Sequence, residues 1–291
     1  MPWLQLKCTT RPRFVEDLSS WLSAQGALSV TYEDAADQPL FEPPPGETPL
    51  WQHTIISGLF DASTDVETLS RALRQHSPDA IDSLQVEILE DKDWVREWMT
   101  HYRPMQFGHG LWIVPSHHPP PEPDAINILL DPGLAFGTGT HPTTAMCLGW
   151  LADHPPQAQQ VVDYGCGSGI LAIAAARLGA RQVIAVDNDP QALLATQRNA
   201  EQNQVAEQIE CRGIEPPLET QCDTLLANIL AGPLISLAPR FADLVRPGGN
   251  IVLSGILAEQ ASLVRQAYDH WFEFQHERQQ DDWILLNATR K

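Results

Sequence analysis

Basic residues are scarce in this chain relative to acidic ones. Its 291 residues include 18 Lys and Arg against 37 Asp and Glu, a formal net charge of −19. Residues 1–90 carry −9 (5 basic and 14 acidic residues) and the remainder carries −10 (13 basic and 23 acidic), without a Lys/Arg cluster for nucleic acid phosphates. We therefore expect no direct nucleic acid ligand, and long-range electrostatic attraction favours a basic protein as partner. Taken alone, the acidic charge is explained equally well as a surface that keeps the protein soluble.

Long hydrophobic runs and paired cysteines are also missing. No apolar run approaches the ~18 residues that a membrane-spanning helix requires, and the first residues lack the basic and apolar regions of a signal peptide. The five cysteines are odd in number and lack metal-ligand spacing, which predicts reduced thiols and no metal site. These absences predict a cytoplasmic protein that does not bind membranes.

A glycine-rich turn is the most informative feature that is present. The apolar segment Val161–Asp163 runs into a turn with Gly165, Gly167 and Gly169, and a helix-forming segment follows. A second apolar segment then ends in Asp187. This pattern predicts the first β-α-β unit of a nucleoside-binding α/β domain, in which glycines let the backbone approach a ligand and the acid accepts hydrogen bonds from ribose.

The spacing of this turn separates two classes of cofactor. Dinucleotide-binding turns read G-x-G-x-x-G and seat a pyrophosphate at a helix N-terminus, whereas this turn reads G-x-G-x-G with Asp163 two residues before the first glycine. A carboxylate there would repel a pyrophosphate but suits an ammonium and a sulfonium. The pattern favours S-adenosyl-L-methionine over a nicotinamide cofactor; a plain tight turn is the remaining alternative.

Two further motifs carry polar groups that could act on a ligand. Residues 131–144 contain three glycines and four threonines and precede a helix, a composition that suits a loop folding over a ligand. Phosphate binding is the alternative there, although the lysine of a P-loop is missing. Asn228 ends an apolar strand, and its amide oxygen could accept a hydrogen bond from an amine and orient the lone pair toward a methyl group. Asparagine is also a common turn residue.

The order of predicted elements divides the chain into two domains. Residues 1–90 read β-α-β-β-α-β, the order of a small ferredoxin-like α+β domain. Residues 91–103 predict a linker helix with Trp94 and Trp98 one turn apart. Residues 104–291 alternate strands and helices and end in a hairpin, which predicts an α/β class I methyltransferase domain with a Rossmann-like, seven-stranded, mostly parallel sheet.

These motifs resemble the PrmA family, the bacterial methyltransferases of ribosomal large-subunit protein eleven. The resemblance is carried by residues 131–144, 163–169, 187–190 and 228–233, and it extends over essentially the whole chain. It implies S-adenosyl-L-methionine-dependent trimethylation of lysine side chains and of the N-terminal α-amine on a basic large-subunit ribosomal protein. It also implies that the front domain binds this substrate, and we expect a monomer.

The resemblance also assigns site residues by position. Asn228 is the expected catalytic residue, placed against the incoming amine. The residues expected to contact the cofactor are Thr143, Gly165, Gly167, Asp187 and Asn228. Methyltransferases that act on the amino groups of adenine and glutamine carry an Asn-Pro-Pro-aromatic turn, whereas this chain has Asn-Ile-Leu-Ala after its strand. The missing aromatic favours an aliphatic amine; the amine of a nucleic acid base or of a small molecule is the alternative.

Overall fold

The computed structural model of the protein describes residues 2–36, 38, 49–90, 102–131, 137 and 139–291. The chain folds into two compact units, Met1–Trp94 and Val95–Lys291. Most of the predicted linker helix, residues 91–101, lies outside the described residues and stays a prediction. Within the described residues, no helix is both long and apolar enough to span a membrane.

The first unit is a four-stranded antiparallel sheet with two helices on one face. The strands run in the order β2-β3-β1-β4, which confirms the predicted ferredoxin-like arrangement. The elements are β1 (Trp3–Thr10), α1 (Pro12–Ala24), β2 (Ser29–Asp34), β3 (Thr54–Asp61), α2 (Val66–His76) and β4 (Ser83–Leu89). Alternate residues of β1, among them Leu6 and Cys8, pack on a helix face that includes Leu18 and Leu22, because strand side chains alternate between faces.

The second unit begins with a small three-stranded sheet. It consists of β5 (Met105–Phe107), β6 (Leu111–Val114) and β7 (Ile126–Leu129). The strand β6 pairs antiparallel with β5 and parallel with β7. The strand β5 has only three residues, too few to show an alternation in the sequence.

A seven-stranded sheet forms the centre of the second unit. Its order is β10-β9-β8-β11-β12-β14-β13, parallel from β10 to β12 and antiparallel at β14. The strands are β8 (Gln160–Tyr164), β9 (Gln182–Val186), β10 (Ile209–Arg212), β11 (Cys222–Asn228), β12 (Val245–Leu257), β13 (Phe272–Gln280) and β14 (Trp283–Arg290). This is the predicted class I methyltransferase fold.

Among the described residues, five helices cover the two faces of this sheet. They are α3 (Pro142–Asp153), α4 (Ile170–Arg177), α5 (Pro190–Gln202), α6 (Ala231–Leu244) and α7 (Ala261–Tyr268). In β8, Val161 packs into the core on one face and Val162 into the core on the other, and both are fully buried. Such doubly covered parallel strands read as continuous apolar runs. Because both faces are covered, the carboxyl edge of the sheet is left for ligands, where the strand order reverses between β8 and β11.

Candidate active site

A cleft of about 230 Å³ opens at the carboxyl edge of the sheet, and all three sequence motifs contribute to it. The tips of β8, β9 and β11 meet there because parallel strands present their carboxyl ends on one side. The cleft is lined by Gly137, Thr144, Gly165, Cys166, Gly167, Ile170, Leu171, Asp187, Asn188, Asn228 and Ile229. Four of the five predicted cofactor residues therefore lie together.

Contacts within the protein constrain the backbone conformation of the glycine-rich turn. Gly165 has φ +81°, a conformation that disfavours other residues, and its N–H donates to the Val186 carbonyl at 2.7 Å. A Cβ atom at Gly165 would lie 2.3 Å from the Cγ2 atom of Ile229. The turn thus brings the ends of β8 and β11 into direct contact, and no side chain fits between them.

Asp187 joins the tip of β9 to this turn. Its Oδ2 accepts the Gly167 N–H at 3.0 Å, and its Oδ1 accepts the Asp189 N–H at 3.0 Å. Each carboxylate oxygen has a second acceptor position, and the side chain is only partly buried. Asp187 can therefore hold the turn and still accept hydrogen bonds from ligand hydroxyls. Asp189 caps α5 by accepting the Gln191 N–H.

Asp163 is buried, with 1% of its surface exposed. Its Oδ2 accepts the Ala172 N–H at 2.9 Å, whereas its Oδ1 has no hydrogen-bond partner among the described residues. Burial raises the pKa of Asp163 to about 7, the Ala172 hydrogen bond opposes this rise, and the charge of Asp187 adds to it. Asp163 is not among the described lining residues of the cleft.

The Asn228 amide lies at the end of β11 and is oriented by a neighbour. Its Nδ2 donates to the Oγ1 atom of the buried Thr144 at 3.2 Å. With the NH₂ group engaged in this way, the amide oxygen is left as an acceptor for a ligand. Thr144 and Asn228 are 84 positions apart in the chain, and the fold brings them together in the cleft.

The two adjacent threonines of α3 have different surroundings. The buried Thr143, which the sequence predicted as a cofactor residue, makes a 2.7 Å hydrogen bond with the Nδ1 atom of His141. Thr144 lines the cleft instead. Both threonines lie in the first turn of the same helix, so the sequence offered no signal to choose between them. Direct contact of Thr143 with the cofactor stays a prediction.

Three lining residues outside the predicted set are apolar. Ile170 and Leu171 come from the start of α4, and Ile229 follows Asn228. The Cys166 thiol is also in the lining, but burial raises its pKa far above the usual range, so it is not a thiolate nucleophile. In the part of the chain that the structure describes, no group of three or more His, Cys, Asp or Glu could hold a metal ion.

Comparison with known proteins gives one consistent result. The family profile described as ribosomal protein L11 methyltransferase (PrmA) matches residues 2–291. Curated relatives with that name from Nitrosococcus oceani and Marinobacter nauticus are each 51% identical; the alignments cover 100% of this chain and 100% and 99% of the relatives. The fold also matches the crystal structure of ribosomal protein L11 methylase from Lactobacillus delbrueckii subsp. bulgaricus, with a TM-score of 0.61 and 33% sequence identity. That alignment covers 65% of this chain and 100% of the other. The chain therefore belongs to the ribosomal protein L11 methyltransferase (PrmA) family, which confirms the resemblance read from its motifs.

Proposed function

We propose that this chain transfers methyl groups from S-adenosyl-L-methionine to ribosomal protein L11, at lysine side chains and at the N-terminal α-amine, up to the trimethylated state. Family membership and the names of the relatives support the reaction and the substrate. The observation that carries the chemistry is the Asn228 amide in the cleft, because its NH₂ group is held by Thr144 and its oxygen is left for an amine.

The residues of the cleft fit this cofactor. S-adenosyl-L-methionine supplies a methyl group activated by a positively charged sulfur. Asp187 retains acceptor capacity for ribose hydroxyls after binding two backbone N–H groups. Asp163 is a buried acid whose second oxygen has no partner among the described residues, so a nearby positive charge would favour its ionised form. We assign the contacts between the protein backbone and the cofactor to Gly165 and Gly167.

The substrate nitrogen must be neutral before it can attack. A lysine amine has an ordinary pKa of ~10.4 and must first lose a proton to solvent. Ile170, Leu171 and Ile229 line the cleft, and partial desolvation among such side chains lowers the pKa of an ammonium. The described lining contains no Lys or His side chain that would repel the ammonium or compete for its proton.

Asn228 then aligns the nitrogen. In the first two transfers its Oδ1 accepts one N–H of the incoming amine, which points the lone pair along the line of transfer. In each transfer the lone pair forms the new C–N bond as the C–S bond breaks. After the first and second transfers the methylated nitrogen loses a proton to solvent; the third transfer acts on a dimethylated amine, which has no N–H, and yields a quaternary ammonium with no proton to lose. Positioning of this kind requires no strong base.

An aliphatic amine suits the surroundings of Asn228 better than a planar base. The next two residues are Ile229, which lines the cleft, and Leu230, which is 51% exposed. These side chains can contact the methylene groups of a lysine, whereas a planar base would require an aromatic residue to stack against. The net charge of −19 supports a basic protein substrate over nucleic acid.

We infer the roles of the domains, the location, the oligomeric state and the form of the substrate from the same arguments. Residues 1–90 bind the substrate, and residues 91–103 link this domain to the catalytic domain at 104–291. The protein works as a cytoplasmic monomer on free L11, because ribosomal RNA phosphates would repel a chain of this charge.

The experiment incubates the protein with isotopically labelled S-adenosyl-L-methionine and unmethylated L11 and locates the label by mass spectrometry. We expect trimethylated lysines and a trimethylated N-terminal amine.

In the Asn228→Ala variant, kcat falls at least about 100-fold while cofactor affinity stays within about tenfold, because alignment of the amine is lost and most cofactor contacts remain. Asn250→Ala is the matched control, since Asn250 is a partly buried strand residue outside the described lining.

Label on RNA or on small amines, with none on L11, would overturn the proposed substrate. Near-normal turnover in Asn228→Ala would remove Asn228 from the mechanism. An equal loss in Asn250→Ala would show that the effect comes from general disturbance of the sheet.

A further inference from the structure

Asn199, in α5, and Asn203, the residue that caps the end of α5, take no part in the chemistry described above. Asn199 contacts the glycine-rich turn, residues 165–169, which lines the cleft. Asn203 contacts β7. The two side chains connect the turn to β7.

The Asn203 side chain bonds the backbone N–H and carbonyl at the end of β7, as a neighbouring strand would. Its Oδ1 accepts the Leu129 N–H at 2.7 Å, and its Nδ2 donates to the Leu129 carbonyl at 2.8 Å. The same Nδ2 donates to the Asn199 carbonyl at 2.8 Å. Asn203 is 4% exposed, so water cannot replace these bonds readily.

The preceding turns of α5 hold the glycine-rich turn. Asn199 Nδ2 donates to the Ser168 carbonyl at 2.8 Å, and Thr196 Oγ1 donates to the Gly167 carbonyl at 3.1 Å. Ser168 Oγ in turn donates to the Gly137 carbonyl at 2.6 Å. Residues 196, 199 and 203 are spaced to lie on one face of a helix, so one rigid element fixes the turn relative to β7.

We propose that Asn199 and Asn203 are positioning residues for the cofactor: they hold the glycine-rich turn in place relative to β7, and Ser168 of that turn bonds Gly137 in the lining of the cleft. The inference rests on the proposed function in that the cleft is taken to bind S-adenosyl-L-methionine. Neither side chain lines the cleft among the described residues. Their effect is exerted through Ser168 and Leu129.

This role predicts an effect on cofactor binding rather than on the transfer step. Loss of Asn203 leaves the N–H and carbonyl of Leu129 without partners and frees β7 to move relative to the turn. Asn228 and Thr144 lie on other elements, so alignment of the amine is preserved once the cofactor is bound.

The test compares Asn203→Leu with the control Asn287→Leu. Both asparagines are buried and donate to a backbone carbonyl, but Asn287 lies in β14 and donates to Ile251. Calorimetry with S-adenosylhomocysteine measures affinity, urea unfolding measures stability, and steady-state assays with L11 give kcat and KM. We expect Asn203→Leu to weaken binding and raise the cofactor KM by about tenfold, with kcat within about threefold of wild type. Asn287→Leu should lose stability without a change in KM.

A second variant decides the question if Asn203→Leu does not fold. Asn199 is only partly buried, so Asn199→Ala removes the bond to Ser168 at a smaller cost to stability, and we expect about fivefold weaker binding. Wild-type affinity in the folded variants would overturn the positioning role alone. Failure of the wild-type protein to bind S-adenosylhomocysteine would overturn the proposed function, and this inference with it.

Discussion

The Asp163→Asn variant tests whether the buried Asp163 side chain has a raised pKa and responds to a positively charged ligand in the cleft. Burial raises the pKa of Asp163 from 3.8 to about 7 in the folded protein without cofactor. The folded state therefore keeps its proton up to about neutral pH, whereas the unfolded chain loses it near pH 4. Since the folded state binds more protons in this interval, stability must fall as the pH rises through it.

The size of this effect follows from the shift in pKa. A change of one pKa unit corresponds to 1.36 kcal/mol, so complete ionisation of Asp163 costs about 4 kcal/mol. Between about pH 5 and about pH 8, the wild-type protein should lose about 3 kcal/mol through this group. The asparagine variant keeps the acceptor for the Ala172 N–H but buries an NH₂ group with no partner, a penalty of about 1–3 kcal/mol that does not vary with pH.

Urea unfolding of both proteins across this pH range measures the difference. Relative to wild type, Asp163→Asn should be less stable at about pH 5 and should gain about 3 kcal/mol by about pH 8. Asp124→Asn is the control, because Asp124 is exposed, and its stability difference from wild type should not vary with pH. A constant difference between Asp163→Asn and wild type over the same range would refute the reasoning.

Cofactor binding provides a second measurement on the same variant. A cation in the cleft lowers the pKa of Asp163, so at about pH 6 the wild-type protein should release close to one proton on binding S-adenosyl-L-methionine. Calorimetry in buffers of different ionisation enthalpy counts this proton. The variant should release none and bind more weakly.

Two further substitutions test the geometry of the cleft. Gly165→Ala places a Cβ atom 2.3 Å from Ile229 at a positive φ, so we expect at least about 1 kcal/mol lower unfolding free energy and loss of cofactor binding, measured by urea unfolding and calorimetry. Thr144→Val removes the acceptor that orients Asn228 and should lower kcat by about tenfold, whereas Thr144→Ser should restore most of it. Equal kcat values for Thr144→Val and Thr144→Ser would show that the hydroxyl has no role.

The sequence predicted the architecture best where the chain is most apolar. Val161 and Val162 lie in β8, which is buried on both faces, and its continuous apolar run identified the central β-α-β unit. The strand Ile209–Arg212 was missed because it lies at the edge of the sheet, where only its first residue is buried. Edge strands are half exposed, so their sequences do not differ clearly from loops.

The site was predictable as a set of motifs but not as a set of contacts. Gly165, Asp187 and Asn228 end or follow apolar strands, and the topology of a parallel sheet brings such positions together. The choice between Thr143 and Thr144 depends on the phase of α3 relative to the sheet, which a local pattern does not contain. Asn203 bonds to Leu129 across 74 positions, a contact that only the folded chain defines.

The position of β14 has a consequence for how the protein is made. This strand follows β13 in the chain, but it lies between β12 and β13 and pairs antiparallel with both. During synthesis, a nascent chain that has emerged from the ribosome only as far as β13 cannot assemble this side of the sheet, because the strand that joins its neighbours is still inside the ribosome. The exposed edge of β12 is then open to wrong pairing. A chaperone that shields this edge until β14 has emerged should therefore raise the yield of the folded protein.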